Sequence, residues 1–357
     1  VPRENVLFVD RVGYDRYRDD EGKPALDPAR FAVHLVTPPP LWAQARPGEA
    51  SELSALEMDE GYLTDLAVAA HRDRPLSRLL VFTERLLLWG GCTRDLLAVP
   101  GPGAAEILPF RDKAVMKRRA AAAGLPMCRW TPACWPGQLD EAVALLRETG
   151  RVVVKPLDGT GSVGIGDCRT EAELAAAIAA ASGPATRPVL VEEYVPDEML
   201  HIDALVRDGK IRASTTSRYL VPTTAFTEGK PVPSVTVDDP HVRELAIDHL
   251  VRCADAFGVR DSVLHLEVFH RPDDHRMLFS ELACRNGGVG VPAVFRALTG
   301  VQLYRAMVQA ALGEPPDEPP SVPRPRAAGW ITIYAGDGIV ESISEPPDLI
   351  PGLVERR

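Results

Sequence analysis

Short apolar runs separated by polar stretches set the rhythm of the first hundred or so residues. Asn5–Val9, Phe31–Val36 and Leu79–Phe82 read as buried strands, and Met58–Ala70 reads as a helix. Strands separated by helical stretches predict a small α/β lobe, which carries no strong chemical motif of its own. A boundary follows at Val99–Gly103 (VPGPG). Asp112–Ala123 then predicts a helix, capped by Asp112 and ended by Gly124 and Pro126. A second helix is predicted over Leu139–Thr149, a strand over Arg151–Leu157 and a short return strand over Val163–Cys168. Thr170 and Glu173 form a capping box that opens an alanine-rich helix, and Pro188–Val195 is another apolar strand.

From His201 the pattern changes. Strands are predicted at His201–Val206 and Ile211–Thr216, a Pro/Gly loop at Leu220–Val235, and a helix at His241–Phe257. Ser262–Arg285 reads as a β-hairpin. Pro315–Pro325 is too proline-dense for a core and predicts an extended connector. Trp330–Ser344 alternates around Gly336–Gly338 and suggests a final hairpin.

Composition narrows the function. The 357 residues are 45% hydrophobic and 25% charged, ordinary for a globular chain of two or three lobes. A net charge of −10 argues against a nucleic-acid backbone as the main partner. The six cysteines show neither C-x-x-C spacing nor a histidine pair at zinc-finger spacing, which fits a reducing cytoplasm. The start has no apolar signal segment, and no run approaches the roughly 18 residues of a membrane span, so no membrane association is expected.

Two features carry candidate chemistry. Gly159–Gly164 (GTGSVG) follows a strand but does not run into a helix, so it reads as a hairpin tip, unlike a dinucleotide-binding turn. Backbone N–H groups of such a tip can cover phosphates, and Lys155 at the end of the Val152–Val154 run can neutralise them. The alternative is an ordinary turn beside a snorkelling lysine. The second feature is the hairpin. Pairing Arg271 with Met277 puts Phe269 opposite Phe279, Glu267 opposite Glu281 and His265 opposite Ala283. These residues then share one face with Arg285. Two facing carboxylates, with Cβ atoms about 4.5–5.5 Å apart, repel. A divalent cation offsets this naturally. A shared proton, a salt bridge to Arg285 or a register slip are the alternatives.

Taken in order, Phe110–Lys113 (FRDK), Val154–Pro156 before the glycine tip, Val191–Val195 (VEEYV), His201–Asp203 and the hairpin ending Glu281–Gly288 (ELACRNGG) resemble the ATP-grasp carboxylate–amine ligases. The resemblance covers about 100–313. It implies a mixed α/β ATP-grasp fold: a Rossmann-like N-terminal lobe (1–107), a glycine-loop lid lobe (108–200), a catalytic lobe with an antiparallel sheet (201–313), and a connector with a terminal hairpin (314–357). It implies ATP and Mg²⁺, with Mn²⁺ as an alternative, and small carboxylate and amine substrates, amino acids foremost. It leaves a homodimer open.

Residue by residue, the resemblance implies phosphate contacts from Lys113 and Lys155 and a phosphate cover from Gly161, Ser162 and Val163. Adenine contacts fall to the Glu192–Val195 segment, which includes Glu193 and Tyr194. Glu267 and Glu281 would hold the metal, and Arg285 the phosphoryl group or substrate carboxylate. His265, Arg218, Asn286, Gly287 and Gly288 are substrate candidates, and the loop over Arg218–Lys230 is a candidate cover. Two departures stand out. Met199 occupies the family's acidic ribose position, leaving Glu198 or Asp203 for that role. Ala283 replaces an asparagine metal ligand, and His265 is expected to fill the space beside it. A thiol or peptide acceptor, and a nucleotide-binding module without turnover, remain alternatives.

Overall fold

The structure, a computed structural model, describes residues 2–52, 59–134, 139–183, 187–318, 321 and 324–333. In the first lobe the apolar runs become β1 (Glu4–Val9), β2 (Phe31–Val36), β3 (Ser51–Glu52) and β4 (Arg78–Val81). They form a parallel sheet of order β3-β2-β1-β4. Burial on both faces explains why β1 is apolar from Val6 to Val9. Helices α1 (Glu60–Asp73) and α2 (Leu87–Leu97) cover one face. The second of these was not predicted, nor were α3 (Ala104–Ile107) and the strand β5 (Trp130–Cys134).

Helix α4 (Lys113–Ala122) starts at Asp112, whose side chain accepts from the Val115 N–H at 2.8 Å. The second lobe is an antiparallel sheet of order β5-β8-β6-β7, built from β6 (Val152–Pro156), β7 (Gly166–Cys168) and β8 (Val189–Glu193). Helices α5 (Asp140–Thr149) and α6 (Glu171–Ser182) back it, and the predicted Thr170–Glu173 capping box is present. The return strand is shorter than predicted. Gly161, Ser162 and Gly164 all have positive φ, so the chain turns through them and pairs only from Gly166.

The third lobe is a six-stranded sheet of order β13-β12-β9-β10-β11-β14. Its strands are β9 (Glu198–Arg207), β10 (Lys210–Tyr219), β11 (Val232–Thr236), β12 (Ser262–Arg271), β13 (Arg276–Ala283) and β14 (Gly329–Thr332). Helix α7 (Pro240–Phe257) packs on one face against Leu200, Ile202, Ala204, Leu264, Leu266 and Val268. On the other face Leu205 and Val263 meet α8 (Val291–Thr299) and α9 (Leu303–Leu312). Helix α9 also enters the first lobe's core through Val308 and Leu312, and Tyr304 packs on Tyr17 at 5.6 Å. The remainder of that second face is polar and opens on the cavity between the lobes. The expected final hairpin lies mostly outside the described residues. What is described of it pairs with β11, a strand placed in the predicted loop. No described helix is long and apolar enough to cross a membrane.

Candidate active site

The hairpin register holds where the chemistry is. His265 pairs with Ala283 and Glu267 with Glu281. Beyond that point a bulge at Ser280 shifts it, so Phe269 faces Leu278 and Phe279 faces Val268. Phe279 therefore lies fully buried in the α7 core, not on the site face as expected. The bulge lets one strand supply a carboxylate to the cavity and, two residues earlier, an aromatic ring to the opposite core.

Cations already flank both carboxylates. Lys113 Nζ lies 3.1 Å from Glu281 Oε1 and donates to the Gly159 carbonyl at 2.8 Å, so it ties the glycine loop to the hairpin. Glu267 Oε1 accepts from the Tyr219 hydroxyl at 3.2 Å and lies 3.6 Å from His265 Nε2. His265 Nδ1 meets Asp203 Oδ1 at 2.8 Å. The other Asp203 oxygen meets His201 Nδ1 at 2.7 Å, and His201 Nε2 meets Ser234 Oγ at 2.8 Å. Burial opposes charge here, yet pairing prevails. Asp203 and Glu267 push His265 up to about 10, and His265 holds Glu267 down at about 2. Gly287 makes room for this chain, since a Cβ there would sit 2.7 Å from His265 Nδ1. His201, Asp203 and His265 bring possible metal-ligand atoms within 4.8 Å of one another. Their atoms are spent on each other, so the cluster is a hydrogen-bonded triad.

The residues present fit one hard divalent cation at Glu267 and Glu281. Among the described residues neither Oε2 atom makes a hydrogen bond, both side chains reach the cavity, and both donors are carboxylate oxygens. Ala283 adds only a buried methyl group.

The second lobe forms the opposite wall of a cavity of about 800 Å³. Lys113, Lys155, Gly161, Ser162, Val163, Glu192, Glu193, Tyr194 and Val195 all line it, as do Glu267, Glu281, His265, Arg285 and Gly288. Glu192 lies between Lys117 at 2.6 Å and Lys155 at 2.5 Å. Burial alone would raise its pKa, but the two lysines bring it down to about 2. Two lysines, Lys117 buried and Lys155 partly exposed, around one buried carboxylate leave a net positive charge, suited to a phosphate on the Lys155 side. The Tyr194 N–H donates to the Arg151 carbonyl at 3.1 Å and is spent in the sheet. The Val195 N–H makes no hydrogen bond among the described residues and is left to donate into the cavity.

Four predicted residues fall elsewhere. Asp203 is 0% exposed and outside the cavity wall, both oxygens held by histidines, so it cannot reach a ribose. Arg218 faces away from the cavity and pairs with Glu198 at 3.0 Å. Strand alternation gives the site face to its neighbour Tyr219. Asn286 and Gly287 do not line the cavity; the Asn286 side chain donates to the Gly287 carbonyl at 2.7 Å. Glu198 also meets His270 Nδ1 at 3.1 Å, so its carboxylate is engaged.

Sequence reasoning missed Lys117, Tyr219, Glu84 and Trp330. Lys117 lies four residues beyond Lys113, one helical turn along the same face, and that spacing was a usable signal. Glu84 comes from the first lobe, ion-pairs with Arg285 and reaches Arg111 at 2.8 Å. Nothing local in the sequence marks it.

No family model matches the chain. An L-arginine-specific L-amino acid ligase of Bacillus subtilis is 22% identical over 306 residues, 79% of this chain and 69% of that protein. Among solved structures, an L-amino acid ligase from Bacillus licheniformis aligns over 92% of this chain and 80% of its own, with TM-score 0.67 and 15% identity. The biotin carboxylase domain of a Hydrogenobacter thermophilus 2-oxoglutarate carboxylase, solved with MgADP and bicarbonate, aligns over 87% and 70%, with TM-score 0.66 and 18% identity. An N5-carboxyaminoimidazole ribonucleotide synthetase solved with ADP aligns over 90% and 80%, with TM-score 0.67 and 17% identity.

Proposed function

We propose that the chain is an ATP-grasp enzyme of the carboxylate–amine ligase group that joins amino acids through an amide bond, forming ADP and phosphate; its similarity to the two Bacillus ligases supports this. The observation that carries this reading is the facing pair Glu267 and Glu281, each with an open oxygen, directly across from Lys155 and the glycine loop. Magnesium bound there would neutralise the polyphosphate and polarise the transferred phosphoryl group.

The chain's own residues do the rest. The Val195 N–H and the neighbouring backbone position the adenine. Lys155 and Lys113 balance phosphate charge, and N–H groups of the Gly159–Gly164 loop cover it. A substrate carboxylate oxygen attacks the γ-phosphorus and ADP departs. The amine nitrogen then attacks the acyl carbon, loses a proton, and phosphate departs. Arg285 stabilises the negative charge on the reacting group, its guanidinium held by Glu84. Ser162 Oγ meets Thr223 Oγ1 at 3.1 Å, joining the glycine loop to the segment over the substrate end. Together they exclude water, which would hydrolyse an acyl-phosphate.

The test is phosphate release from Mg-ATP against a panel of paired amino acids. Release of ADP and phosphate that needs both partners is expected, and Glu267→Gln or Glu281→Gln should lower it about 10²-fold or more. Formation of AMP would overturn the reading. Binding of MgATP with no release for any pair would select the alternative of a nucleotide-binding module without turnover, against which Lys155, Glu267, Glu281 and Arg285 argue and which Ala283 alone leaves open.

A further inference from the structure

Past the two glutamates the cavity changes character. Tyr219, whose hydroxyl reaches Glu267, packs edge-on against Trp330 at 6.3 Å. Trp330 and Thr332 are the inward residues of β14, while Gly329 and Ile331 face outward and are exposed. This strand is seated by two glycines. A Cβ on Gly290 would lie 2.4 Å from the Trp330 side chain, and one on Gly329 would lie 2.7 Å from the Ser234 carbonyl. Phe226 and Val232 complete the wall. Trp330 Nε1 and Thr332 Oγ1 are occluded and have no hydrogen-bond partner among the described residues, so what these two residues show to the cavity is carbon.

The acids of the cavity point the same way. Glu84 is held by Arg111 and Arg285, Glu228 by Lys230, Glu198 by Arg218 and His270, and Asp197 by Arg271. Asp167 pairs with Arg151, Glu193 with Arg129 and Glu192 with two lysines, while Glu281 has Lys113 and Glu267 has Tyr219 and His265. Every described carboxylate that lines the cavity therefore has a cation or hydrogen-bond donor beside it, and the open oxygens of Glu267 and Glu281 are the ones the reading above gives to the divalent cation. A guanidinium or ammonium entering it would lose its hydration without gaining an unpaired counter-charge.

Resting on the ligase reading above, we propose that the Tyr219–Trp330–Phe226 wall is the side-chain subsite for an apolar amino acid and selects against a cationic one. This differs from the arginine for which the Bacillus subtilis relative is named. Trp330 acts as a specificity residue carried in by β14.

The experiment measures kcat/KM for phosphate release from Mg-ATP by the full chain. Leucine, methionine, phenylalanine, arginine and lysine are each paired with alanine. An advantage of about 10²-fold for the apolar three over arginine and lysine is expected. Trp330→Ala should cut the apolar kcat/KM about 10-fold through KM, with MgATP affinity unchanged, and Trp330→Phe should restore most of it. Phe226→Asp, on a partly exposed turn where folding is not at stake, should raise relative use of lysine and arginine. Arginine or lysine used as well as leucine would overturn the subsite while leaving the ligase. Release from no pair would remove the ligase reading and the subsite with it.

Discussion

Glu84 shows how much a single residue can contribute from outside the motifs. It carries no sequence signature, yet it holds the guanidinium of Arg285 and also binds Arg111, whose own side chain donates to the Asp158 carbonyl at 2.6 Å. Glu84→Gln should keep the fold, lower kcat for phosphate release by about 10-fold or more, and leave KM for ATP nearly unchanged, since Arg285 would lose its orientation. An unchanged kcat would show that Arg285 is placed without it. Lys117 tests a different balance. Its partner Glu192 is buried between it and Lys155, so Glu192→Gln, which leaves two lysines without their carboxylate, should destabilise the protein by roughly 3–5 kcal/mol, read by denaturant unfolding. Lys117→Met combined with Glu192→Gln should cost clearly less than the sum of the two single changes, because one of the two lysines left without a counter-charge by Glu192→Gln is then gone.

At the scale of elements, alternation within strands decided which residues entered the site. The facing Glu267 and Glu281 follow from period-two patterning on both strands, and that part was legible. The Ser280 bulge was not, because an extra residue leaves the apolar pattern plausible on either face. Arg218 and Tyr219 differ by one position, and either could have been the inward residue until β10 was paired with β9. Helix α7 offers a separate prediction. His249 is buried, its Nε2 lacks a partner among the described residues, and burial lowers its pKa to about 4. The unfolded chain therefore binds more protons between about pH 6.5 and 4. Stability at neutral pH is lost as pH falls through that window, by at most about 3 kcal/mol. His249→Leu should flatten that part of the stability–pH profile in chemical denaturation, and an unchanged slope would place the acid sensitivity elsewhere.

For the whole molecule, the cavity exists only because three lobes meet around it. Lys155 and Val195 come from one, Glu267 and Glu281 from another, and Glu84 from the third. A ligand gripping all three should stabilise the folded chain by about 2.7 kcal/mol at one hundred times its Kd. MgATP should raise Tm in thermal unfolding, and Glu267→Gln with Glu281→Gln should remove the magnesium-dependent part of that rise. A magnesium effect that survives both changes would place the cation elsewhere. The sequence by itself determined most of the elements though not α2, α3, β5 or β11, and with them the capped helices, the glycine tip, Lys155 and the glutamate pair. These follow from local propensity, short-range periodicity and residue chemistry, all carried by neighbours in the chain. Only the tertiary structure decided that Asp203 is sealed between two histidines, that Arg285 leans on Glu84, and that β14 brings Trp330 beside Tyr219. Each of those depends on contacts between segments far apart in the chain. Such contacts are set by how lobes and sheet edges pack, and no local pattern encodes them.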